Sequence, residues 1–250
     1  MSEENNIKDL KKIAEKLNLG DLTDQIEMLT QIHRPTDFTE ENIRMDDMII
    51  QMEYAYNWAK RRCYAKRRKV GAILYKNGRP ISSGFNGTKA GYPNECEKEG
   101  STIAGVIHAE KNAIVKLLKA GTDSPKNSTL FVTTANCPNC AEEIILAEIS
   151  AVYFTEMYRS IAGLEELIKN GISVYHLDMK KISDFDKQTE SECLYDYKNF
   201  PKDFVTTIYE SKEENNIEDK LNAIRKVRDM YEDYKDGDFH DKFYDAAFWT

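Results

Sequence analysis

Three side chains with soft or borderline donor atoms stand in a spaced pattern: His108, and the pair in Cys137-Pro138-Asn139-Cys140. One imidazole and two thiolates fill three corners of a zinc tetrahedron and leave the fourth for water. Glu110 follows the histidine by two residues, which puts a carboxylate where it could move protons to and from that water. A lone histidine is most often a packed core or surface residue, but here the spacing of four groups speaks jointly. A structural zinc would call for a fourth protein ligand nearby, and the sequence offers none. The pattern implies one catalytic zinc ion and a hydrolytic reaction.

These residues need elements that bring them together. Ile107 to Lys119 has the apolar spacing of a helix, with Ala109, Ala113, Ile114, Leu117 and Leu118 on its inner side and Gly121 as its stop. Thr129–Thr134 is a buried strand. A helix from Pro138 to about Ile149 follows, with proline at its first turn. Both helix starts are expected just past a strand, facing one crevice, where the helix N-termini favour thiolates. Upstream, Val70–Tyr75 and Pro80–Phe85 flank Asn77-Gly78, a two-residue hairpin signal. Downstream, strands at 151–154 and 172–176 enclose a helix at 164–170. The order predicts an α/β fold: a mixed sheet, an antiparallel hairpin followed by parallel strands, with helices on both faces.

Three segments are expected: a helical N-terminal extension over 1–45, the central domain over 46–179 and a mainly helical C-terminal extension over 180–250. The first includes short helices at 5–18 and around 26–32. Thr39 is the expected N-cap of a longer helix ending near Arg62. In the last, Ile217, Leu221, Ile224, Val227, Tyr231 and Tyr234 keep helical spacing, and an aromatic end runs from Phe239 to Trp249. Residues 89–103 read as irregular.

The chain has 250 residues, a net charge of -8 and 41% hydrophobic residues. The acidic balance and the lack of a basic stripe argue against nucleic acid as partner. No apolar run approaches bilayer length and the N-terminus carries no signal-like segment, so the expectation is a cytoplasmic protein with no membrane partner. The five cysteines are too sparse for a disulfide scaffold.

His-x-Glu followed by Cys-x-x-Cys is the signature of zinc nucleobase deaminases, in which a proline precedes the first cysteine. This sequence has Asn136 there. Proline would stiffen the turn but supplies no ligand. The sequence resembles the deoxycytidylate (dCMP) deaminase family over about residues 50–178. The resemblance is carried by Arg68-Lys69-Val70-Gly71-Ala72, Gly84-Phe85-Asn86-Gly87-Thr88 with Gly91, His108-Ala109-Glu110-Lys111-Asn112-Ala113-Ile114 and Leu130-Phe131-Val132-Thr133. It implies a cytidine deaminase-like fold and hydrolytic conversion of dCMP to dUMP and ammonia, supplying thymidylate synthesis. Glu110 would be the proton carrier, and His108, Cys137 and Cys140 the zinc ligands.

Substrate contacts are expected from Asn86, with a donor and an acceptor for sugar or base, and from Thr88 and Arg68 toward a 5′-phosphate. Ala109, Thr133 and the aromatic Tyr158 would line the site. The resemblance further implies a homo-oligomer and dCTP or dTTP effectors, with Mg2+ accompanying such a nucleotide. The sparse cysteines fit a reducing cytoplasm, the host's if the chain is made by a phage. Two alternatives stay open: a deaminase acting on dCTP or a modified dCMP, or a catalytically weak sensor of dCTP or dTTP. A second, structural zinc is not expected, because Ala65 and Ile107 stand where relatives would need ligands.

Overall fold

The computed structural model describes residues 43, 45–98, 101–183, 202–211 and 216–235. The expected helices at 5–18 and 26–32, the Thr39 cap and the aromatic end lie outside the described residues.

In chain order the elements are α1 (Met45–Arg62), β1 (Gly71–Lys76), β2 (Arg79–Phe85), β3 (Glu97–Lys98), β4 (Ser101–Thr102), α2 (Ala109–Ala120), β5 (Thr129–Thr134), α3 (Pro138–Leu146), β6 (Ala151–Glu156), α4 (Ala162–Lys169), β7 (Ser173–Leu177), β8 (Val205–Tyr209) and α5 (Ile217–Lys235). Six strands form one sheet in the order β2-β1-β5-β6-β7-β8. β1 is antiparallel to β2 and to β5, the β5-β6-β7 run is parallel, and β8 returns antiparallel to β7. Asn77 and Gly78 both take positive φ, 51° and 74°, as a tight hairpin between twisted strands requires.

Strand alternation splits the interior into two layers. Leu74, Leu130, Val132, Val152 and Phe154 face one side and meet α2, α3, α4 and α5. Ile73, Phe131, Tyr153 and Tyr175 face the other, where Ile49, Met52 and Ala55 of α1 cover them. The register pairs Phe131 with Tyr153 and Tyr153 with Tyr175, and their rings stack at 5.0 and 4.5 Å between centroids. That aromatic row fastens the three parallel strands beneath the site.

Three features differ from the sequence reading. The segment expected to be irregular contains the small β3–β4 hairpin, separate from the main sheet. Its strands are two residues each, too short to show alternation. The C-terminal extension, expected to be mainly helical, also contributes β8 to the sheet. That strand, Val205-Thr206-Thr207-Ile208-Tyr209, is short and follows a stretch rich in charge, so periodicity does not reveal it. In α5 the inner side is Ala223 and Val227, while Ile217 and Leu221 at its start are exposed; the helix reaches the sheet only after its first turn.

Two glycines set how closely helices approach the sheet. A Cβ on Gly71 would lie 1.8 Å from the Ala55 carbonyl oxygen of α1, and one on Gly84 would lie 2.0 Å from the Ala109 carbonyl oxygen of α2. Neither backbone can yield without moving a helix. Gly84→Ala should therefore destabilise the protein by about 2–3 kcal/mol and lower activity by displacing the start of α2. Denaturant unfolding checks this, and a variant within about 0.5 kcal/mol of wild type, the range of neutral surface changes, would contradict it.

Candidate active site

The chemistry-bearing residues sit at two helix starts. His108 is the N-cap of α2 and Cys137 the N-cap of α3, both with extended backbone, and neither side chain caps its helix. An N-cap side chain ordinarily turns back to a free amide of the first turn; here the two turn toward each other. Cys140 stands within the first turn of α3. His108 Nδ1 lies 3.1 Å from Cys140 Sγ and 3.5 Å from Cys137 Sγ, and the three donor atoms all lie within 4.8 Å of one another. A zinc tetrahedron with ordinary bond lengths has N···S edges of about 3.5 Å, so the donor set fits that ion.

The sequence reading placed both helix starts just past strands. For α3 this holds, since β5 ends at Thr134. For α2 the preceding residue Ile107 makes only an isolated bridge to Gly87. The bridge has two backbone bonds, Gly87 N–H to Ile107 O at 3.0 Å and Ile107 N–H to Gly87 O at 2.8 Å. It ties the histidine to the loop after β2.

Electrostatics follow the crowding. The two thiols titrate as a coupled pair. Hydrogen bonding between the coupled thiols, with the nearby His108, holds Cys137 below the ordinary thiol range. The same bond, reinforced by burial, holds Cys140 well above the ordinary thiol range. The bond to Cys137 also raises His108, against the opposing effect of burial. Glu110 is buried, and burial pushes its carboxyl up. Its own backbone N–H, the nearby His108 and a hydrogen bond from Asn136 pull the other way. A raised carboxyl close to a metal-ligand set suits a group that must take up and release protons.

A cavity of about 860 Å³ opens over these residues, within the size range of small-ligand sites. His108, Ala109, Glu110 and Cys137 line it, as do Arg68, Asn86 and Tyr158. The Arg68 guanidinium lies 5.7 Å from the centre of the Tyr158 ring and that of Arg159 lies 5.5 Å from it. Arg67, beside Arg68 in the same basic run, also lines the cavity, as do Arg159 and Thr134, which the sequence did not single out. The only sequence signal for Arg159 is its place beside Tyr158, just past a strand that ends at the crevice.

Three expected contacts stand differently. Asn86 lines the cavity, but its amide already binds the chain. Its Oδ1 accepts from Val70 N–H at 2.7 Å and Cys63 Sγ at 2.8 Å, and its Nδ2 donates to Arg68 O at 2.9 Å. It shapes the segment that presents Arg68. Thr133 is fully buried and its hydroxyl accepts from Gly71 N–H at 3.2 Å; strand alternation gives the cavity its neighbour Thr134 instead. Thr88 is not among the cavity-lining residues, and its hydroxyl oxygen is buried without a hydrogen-bond partner.

Residues 46–156 match the family model for the cytidine and deoxycytidylate deaminase zinc-binding region. The fold aligns with the crystal structure of dCMP deaminase from the cyanophage S-TIM5 in complex with dCMP and dUMP. The identity is 37% and the TM-score 0.53, and the alignment covers 54% of this chain and 100% of that one. The chain belongs to the deoxycytidylate deaminase family. It is also 28% identical over 179 residues to the deoxycytidylate deaminase of phage T4, covering 54% of this chain and 91% of that protein. With the deoxycytidylate deaminase of Mycobacterium phage D29 it shares 30% identity over 111 residues, 38% of this chain and 84% of that one. Zinc is the metal of this family's matched region, in agreement with the donor set.

A second acidic group lies near Arg68. Glu156 closes β6, paired in register with Thr134, and accepts from Tyr56 Oη at 3.3 Å. Burial pushes its carboxyl up to about 7, against the positive charge of Arg68. Below the ordinary value of 4.5 the group is protonated folded or unfolded. Between 4.5 and about 7 the folded state holds the extra proton, so stability is lost as pH rises through this window. Thermal unfolding of Glu156→Gln against wild type should therefore show a Tm difference that grows in the variant's favour from pH 4.5 to 8. A difference independent of pH would mean that Arg68 neutralises the buried charge.

Proposed function

We propose that this deaminase acts on dCMP, with water as co-substrate, to give dUMP and ammonia. The observation that carries the reading is a single cavity lined both by His108, Glu110 and Cys137 and by the cluster of Arg67, Arg68, Tyr158 and Arg159. The first group suits a cytosine ring and its amino group, the second a 5′-phosphate.

His108, Cys137 and Cys140 would hold the zinc. When bound there, zinc supplies the Lewis acidity that makes water nucleophilic near neutral pH. Ala109, at the start of α2 between His108 and Glu110, lines the same cavity. Glu110 takes a proton from the attacking water as a bond forms to C4 of the ring, and delivers a proton to N3. It then takes the second proton from the C4 hydroxyl and passes it to the amino group, the C4–N bond breaks as the C4 carbonyl forms, and ammonia leaves. Arg68 and Arg159 hold the phosphate, their guanidinium groups 5.7 and 5.5 Å from the centre of the Tyr158 ring. Asn86 serves by fixing the Arg68–Val70 backbone. Regulation by dCTP or dTTP, with Mg2+ beside the nucleotide, and assembly as a homo-oligomer belong to the same proposal through the family resemblance.

Ammonia release from deoxycytidine, dCMP, dCDP and dCTP, with and without dCTP or dTTP as effector, tests the reading. dCMP should be preferred. Preference for deoxycytidine would refute the phosphate assignment, and tight dCTP binding without turnover of any substrate would favour a sensor. Glu110→Gln should retain one zinc per chain and lose turnover by at least roughly 10²-fold. Arg159→Ala should raise KM for dCMP roughly 10-fold or more and leave deoxycytidine turnover unchanged.

A further inference from the structure

Asn136 occupies the position where the zinc-deaminase signature has proline. It is fully buried and is not itself among the cavity-lining residues. Its Nδ2 donates to Glu110 Oε1 at 2.9 Å, linking the loop after β5 to the first turn of α2. The other end of the amide, Oδ1, is buried with no hydrogen-bond partner. Leaving a buried carbonyl oxygen unpaired is costly, and turning the amide over would set Oδ1 against a carboxylate. The orientation is therefore dictated by Glu110. The backbone around Asn136 is held as well: a Cβ on Gly163, at the start of α4, would lie 2.0 Å from the Asn136 carbonyl oxygen. That close approach leaves the loop little room to shift. Proline at this position could stiffen the turn but has no side-chain donor, so the bond to Glu110 depends on the asparagine.

We propose that Asn136 is a positioning residue for the deamination: its amide holds Glu110 Oε1 and fixes the rotation of the carboxylate, so that proton traffic runs through the other oxygen. The inference rests on the dCMP reading of the site and adds to it the group that aims the proton carrier. Asn136 does not line the cavity, so its loss should appear in the chemical step and not in binding. The departure from proline is then an exchange of turn stiffness for a polar brace on the acid-base residue.

The test compares wild type with Asn136→Ala, Asn136→Pro and the near-isosteric Asn136→Asp, measuring kcat and KM for dCMP, zinc per chain and Tm. Asn136→Ala and Asn136→Pro should lower kcat roughly 10- to 100-fold, with KM within about twofold and zinc at the wild-type level. Asn136→Asp, which sets a second carboxylate against Glu110, should lower kcat at least as far. Wild-type kcat in Asn136→Ala or Asn136→Pro would overturn the proposal. So would a zinc loss that accounts for the activity loss, because the residue would then serve only the Cys137 turn. If Asn136→Ala does not fold, Asn136→Asp carries the same comparison. A wild-type protein that leaves dCMP untouched but turns over another cytosine nucleotide would sink the substrate assignment; the series then runs on that nucleotide and still decides the role of Asn136.

Discussion

Everything in this molecule depends on bringing two helix N-termini to one point. Metal binding requires both cysteines as thiolates, whose negative charges repel each other. Donors held within a few ångströms need a positive environment or a cation between them. The fold provides the environment by capping α2 with His108 and α3 with Cys137, so the positive ends of two helices meet at the donor set. The price is two helices begun without side-chain caps. Pro138 at the first turn of α3 and the Ile107–Gly87 bridge before α2 offset part of that loss by presetting the backbone.

Holding that convergence is a matter of close packing. Gly84 lets α2 lie against β2 with no side chain between, Gly71 does the same for α1 against β1, and Gly163 seats α4 on the Asn136 carbonyl. These contacts are backbone to side-chain-free backbone, so none can relax by a rotamer change. The aromatic row Phe131–Tyr153–Tyr175 stiffens the sheet on the face away from the donor set. The catalytic end therefore rides on elements locked from both sides, which suits chemistry in which small displacements of Glu110 matter.

Charge is distributed with the same economy. The cavity is lined both by a buried carboxylate near a soft donor set and by arginines around Tyr158, with Glu156 close to Arg68. A nucleotide has the complementary polarity along its length, with a ring to be protonated at one end and a dianion at the other. The net charge of -8 does not oppose this, because the arginines act locally, inside a partly enclosed space where screening is weaker.

The amino-acid sequence by itself determined the donor set and the order of the central elements. His108, Glu110, Cys137 and Cys140 are identifiable because metal chemistry demands particular residue types at particular spacings, and strands such as β5 and β6 because buried strands are apolar runs. It did not reveal β8 or the small β3–β4 hairpin, whose few residues carry no period. Nor did it separate Thr133 from Thr134, Asn86 as a brace from Asn86 as a contact, or Arg159 from any other surface arginine. Those assignments turn on which way a side chain points and what already satisfies it, and only the packed structure decides that. Asn136 shows the division most clearly: in the sequence it is a missing proline, and in the fold it is the amide that holds Glu110, because only the docking of α2 beside the β5–α3 loop brings residues 26 positions apart within 2.9 Å.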